Sequence, residues 1–69
     1  MMEEGKMTEK ELLYVEDAIE HEKNIIKVCE NIKDNMQEEK LISFMENEIK
    51  VHKNTKDKLT NILEVKSNG

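Results

Sequence analysis

Proline and tryptophan are absent from this 69-residue chain, and glycine occurs only at Gly5 and Gly69. With no internal breaker, the stretch between them is free to form long helices. A single cysteine, Cys29, excludes an internal disulfide, and no Cys/His cluster has the spacing of a zinc site. An unpaired thiol fits a reducing, intracellular setting. No stretch approaches the roughly 20 consecutive apolar residues that span a bilayer. Residues 1–7 are short and polar, read as a disordered tail and carry no signal-peptide pattern. The expectation is an intracellular protein. A formal net charge of -5 argues against nucleic acid and against an anionic membrane surface as partners.

Charged residues make up 39% of the chain, and they are interleaved with apolar ones at helical spacing. Thr8 and Glu11 form a Thr-x-x-Glu capping box, and Met7 and Leu12 take the positions of a hydrophobic staple. From there Leu12, Val15, Ala18/Ile19, Ile25/Ile26, Cys29, Ile32 and Met36 recur in alternating steps of three and four. The turn falls at residues 35–37, where Asn35-x-x-Glu38 matches a second capping box. A second helical pattern follows, with a seam at Leu41, Met45, Glu48, His52, Thr55, Leu59 and Ile62, and Ser67-Asn68-Gly69 ends it. Lys66 suits the dipole at that end. The expected layout is helix 1 over 8–34 and helix 2 over 38–66, within one hairpin domain over 8–66. So short a connection makes the helices antiparallel neighbours.

A chain below roughly 70–80 residues buries a core worth only about 3–5 kcal/mol, so staples or partners are usual. Staples are missing here. The seams are also too wide for one partner helix, with Ile25 beside Ile26, Leu41 beside Ile42 and Ile62 beside Leu63. The fold class expected is all-α: an antiparallel helical hairpin that pairs as a homodimer into a four-helix bundle. Leu12, Ile19, Ile26, Cys29, Met45, Ile49, Leu59 and Ile62 are the expected dimer core.

Polar residues interrupt the seam at its middle. The position between Ile19 and Ile26 calls for an apolar residue and holds Glu22. Folding the hairpin about Met36 and Gln37 brings Glu22 and His52 to nearly the same height, with Glu48 one turn from His52. The plain reading is a polar layer that fixes register and partner choice. The sharper one is a metal site of Glu22, Glu48 and His52, since bundle cores hold metals with inward carboxylates and imidazoles. Cys29 reads as a small core residue, Tyr14 as a rim residue and His21 as an edge histidine. Lys50, Lys53, Lys56 and Lys58 read as a solvated face.

The run Leu12-Leu13 … Glu22-Lys23, the short acidic turn, then Phe44-Met45 … Glu48 … His52 … Leu59 … Leu63 resembles Coat F-type spore-coat proteins. The resemblance implies the ferritin-like superfamily of helical bundles and a bacterial, sporulation-associated, non-enzymatic protein. Metal-binding ferritin-like proteins supply a Glu from one helix and Glu-x-x-His from the next. Glu22 matches the first and His52 the histidine, but the position three before His52 holds Ile49, with Glu48 beside it.

Three functions compete. The first is a structural or interaction protein that works as a homodimer, with other coat or regulatory proteins as further partners and no cofactor. The second is a metal-binding or redox protein using Glu22, Glu48 and His52 with iron, manganese or zinc. The third is a regulatory hairpin that binds a signalling protein. Small sporulation phosphatases are hairpins with a Ser-x-x-x-Asp signature, and here the stretch from Ser43 ends in Asn47.

Overall fold

Two antiparallel helices, α1 (Glu9–Asp34) and α2 (Glu39–Asn68), make up the computed structural model, which describes residues 7–68. Residues 1–6 of the expected tail, and the side chain of Lys66, lie outside what it describes. Met7, assigned to the tail by sequence, is half-buried just before the helix. The reason for the start of α1 is local. Thr8 is the N-cap; its backbone N–H donates to Glu11 Oε1 at 2.9 Å, and the Glu11 N–H donates to Thr8 Oγ1 at 3.1 Å. Two of the free amides of a helix start are satisfied within four residues.

The turn differs from its expected chemistry. Asn35 closes α1 instead of opening α2: its amide donates to the Asn31 carbonyl at 2.8 Å and its backbone N–H to the Ile32 carbonyl at 3.1 Å. An asparagine amide is a donor as well as an acceptor, so the orphan carbonyls of a helix end compete for it. Glu38 opens α2 alone, its carboxylate accepting from the Lys40 N–H at 2.5 Å and its carbonyl from Ile42 N–H at 3.0 Å. Asn35 turns the chain at φ -103, a negative angle that needs no glycine. α2 runs two residues past the expected end, through Ser67 to Asn68.

Along each helix three columns of side chains can be told apart. The inward column is Leu12, Val15, Ile19, Glu22, Ile26, Cys29 and Lys33 on α1, and Ile42, Met45, Ile49, His52, Lys56, Leu59 and Leu63 on α2; every member is buried or half-buried. Among the described residues, only Ile19, Ile26 and Ile49 are buried, at 7%, 7% and 8% exposure. Of the other residues expected in the dimer core, Leu12, Cys29, Met45 and Leu59 are half-buried and Ile62 is exposed. The seam read from sequence on α2 therefore straddles two columns. Met45, His52 and Leu59 face α1, while Leu41 and Ile62 are 49% and 43% exposed beside it.

Because α2 runs back along α1, positions one residue before the inward column fall on one side of the pair in both helices. Positions one residue after fall on the other. The second side is charged: Glu16, Glu20, Lys23 and Asp57 line one open groove there, and Lys53 Nζ meets Glu30 Oε2 at 4.0 Å. The first side is apolar. It carries Tyr14, Val28, Ile32, Leu41, Phe44, Val51, Ile62 and Val65, which are all of the exposed large hydrophobic residues among those described except Leu13. The result is a single-layer rod of 53 × 17 × 14 Å with a radius of gyration of 15.7 Å. A compact domain of this length would have a radius of gyration of about 11 Å.

Candidate functional site

The polar interruption of the seam assembles as the register predicts. His52, halfway along α2, turns its Nδ1 to Glu22 Oε1 on α1 at 2.6 Å. An ionised carboxylate only accepts, so this contact places a hydrogen on Nδ1. The other ring nitrogen, Nε2, stands 3.7 Å from Glu48 Oε1, beyond a hydrogen bond and within ion-pair reach. Glu48 lies one turn back on the same helix, in the apolar side column. The imidazole is thus held between two carboxylates from two helices. Side-chain exposure falls from 34% at Glu48 to 26% at His52 and 14% at Glu22, so the cluster opens toward the apolar side.

The chemistry of this set follows from where the ring nitrogens point. Glu22 occupies one and Glu48 faces the other, so the two carboxylates lie across the ring from each other. One ion cannot be bound by both acids and the imidazole in that arrangement. Among the described residues, no three His, Cys, Asp or Glu side chains are grouped to hold a metal ion. Ile49, at the position of the bridging acid, is one of the three core residues. Within one hairpin the donor set therefore does not fit the ferritin-like metal centre. What it does fit is an orientation lock. A charge-assisted hydrogen bond across the helices permits one register, because a slip of one residue would leave both partners half-buried and unpaired.

The groove on the charged side has a volume of about 550 Å³ and is lined by Ile19, Lys56, Thr60 and Leu63 besides its four charged side-column residues. It lies across the rod from the exposed edge of the Glu22–His52–Glu48 cluster, so the two do not share a ligand. Lys23 spans part of it to Glu20 at 3.1 Å. Cys29 is half-buried in the inward column, and Tyr14 and His21 are exposed on the apolar side. Of the four lysines read as one solvated face, Lys56 is half-buried while Lys50, Lys53 and Lys58 are exposed.

Fold and cluster together define a class: a two-helix hairpin with a cross-helix Glu–His pair and one unpartnered apolar side. No protein-family model, curated protein or solved structure matches the chain. Among the described residues, no helix is long and apolar enough to cross a membrane.

Proposed function

We propose that this chain is a non-catalytic structural or interaction protein that works as a homodimer, two hairpins closing a ferritin-like four-helix bundle in the manner of Coat F-type spore-coat proteins. One observation carries the reading: among the described residues, eight large apolar side chains are exposed on one side of a rod whose own core buries three. A core that small leaves little stability to spare, so the exposed side is where further stabilisation is available. Large apolar side chains gathered on one exposed side mark a protein contact. The Glu22–His52 pair then acts as a register device, not as a reaction centre.

Sedimentation equilibrium tests the assembly. The expected mass is twice the 8.1 kDa of the chain, with helicity falling on dilution as dimers separate. A folded, fully helical monomer at micromolar concentration would sink the reading. The coat assignment, drawn from the resemblance, predicts that the chain stays with the insoluble coat layer when spores are extracted. Recovery only in the soluble fraction would contradict it.

A further inference from the structure

The apolar side column of α2 reads alike from its two ends. Leu41 and Val65 are equidistant in sequence from Lys53, and so are Phe44 and Ile62. Nearer the middle, Glu48 is matched by Lys58, and Val51 by Thr55. All eight lie on the side of the rod away from the charged groove, and all but the half-buried Glu48 are exposed. A surface that pairs apolar with apolar and acid with base when reversed about its midpoint is complementary to itself under a two-fold axis across the helix. Lys53 also lies close to the middle of α2, which runs from Glu39 to Asn68, so the reversed copies overlap along their whole length.

We infer that a second copy of this chain docks end for end on the apolar side, α2 against α2, with Glu48 of each copy meeting Lys58 of the other. This rests on the dimeric reading above and adds its geometry. The alternative two-fold, along the rod, sets the turns at the same end and α2 against α1 of the other copy. It would bring Glu48 to the height of Ile25, with both Glu48 side chains at one level, His21 a turn away and no lysine of the side column beside them. The reversed docking instead gives each Glu48 an ammonium on one side and its own His52 on the other. It also sets Phe44 beside Ile62 and Leu41 beside Val65 at both ends of the interface. Glu48 and Lys58 of a single chain are ten residues apart, about 15 Å along the helix. They cannot pair within one copy.

A charge exchange tests this. Lys58→Glu leaves the hairpin core untouched and creates two like-charge contacts per dimer. The expected result is a dissociation constant raised by about tenfold or more, with helicity retained at high protein concentration. Glu48→Lys combined with Lys58→Glu restores the pair across the interface and is expected to bind at least about threefold more tightly than Lys58→Glu alone, while the lost Glu48–His52 contact keeps it weaker than the original chain. Dimers indifferent to Lys58→Glu, or a double variant no tighter than the single one, would overturn the end-for-end docking. So would a tighter dimer in Glu48→Gln, which signals the two acids facing each other. A wild-type chain that never dimerises would instead defeat the underlying reading, and sedimentation of the unaltered protein separates the two failures.

Discussion

The two sides of the rod are built from neighbouring positions of the same helices and differ in almost every property. One residue after each inward position come Glu16, Glu20, Lys23, Lys27 and Glu30, then Glu46, Lys50, Lys53 and Asp57, all exposed. One residue before come Tyr14, Ile25, Val28 and Ile32, then Leu41, Phe44, Val51 and Ile62. Among the described residues, Leu13 is the one exposed large apolar residue on the charged side, at 59% exposure. The contrast teaches that the inward column is shared property. It borders an exposed charged column on one side and an exposed apolar column on the other. On the proposed dimeric reading, the charged side stays in water and leaves the apolar side as the one contact face.

Substitutions can break this contrast, beginning with the residue both sides depend on. Ile49→Ala removes one of the three core side chains and is expected to cost about 2–5 kcal/mol. That is comparable to the whole stability of so small a core, so circular dichroism should show a largely unfolded chain. Next comes the direct comparison of the two sides. Phe44→Lys and Leu13→Lys change residues of similar exposure, 55% and 59%. The first is expected to abolish the proposed dimer, as sedimentation would measure; the second should shift stability by no more than about 0.5 kcal/mol. Equal effects would erase the distinction between the sides.

The polar cluster at the border of core and apolar side gives a smaller response. Glu22→Ala with His52 intact strands the imidazole and should lower stability by about 1–3 kcal/mol in thermal or urea unfolding. Replacing both by leucine should be neutral or stabilising, with a less uniform assembly state. A double replacement as damaging as the single one would show that the pair does more than set register. Smallest of all is the charged side's own cross-helix contact. Lys53→Ala removes a 4.0 Å pair whose partners are about half exposed and is expected to cost less than about 1 kcal/mol, vanishing at high salt.

Sequence made some of these features plain and hid others for definable reasons. The start of α1 was legible because Thr8 and Glu11 satisfy each other without help from elsewhere in the chain. The Glu22–His52 contact was legible because turn position and helical rise together set height across a hairpin. Asn35 was misplaced because it can serve either helix, and the winner depends on which backbone groups are orphaned once the chain has turned. The seam of α2 blurred where Leu41 adjoins Ile42 and Ile62 adjoins Leu63. Two adjacent apolar columns look the same in one dimension, and only the position of α1 says which one faces it. The position of Glu48 in the side column follows from that same choice, and it separates a register lock from a three-ligand cage.

The capping box at Thr8 has a consequence for how quickly the protein reaches its working form. Its hydrogen bonds join residues three apart, and the turn is tied by contacts no longer than four residues. Helix growth from such nuclei takes about 0.1–1 μs, so transient helical turns form and melt in each chain many times before two chains meet. On the proposed dimeric reading, bimolecular collision is the slow event, and the observed refolding rate is expected to scale with protein concentration.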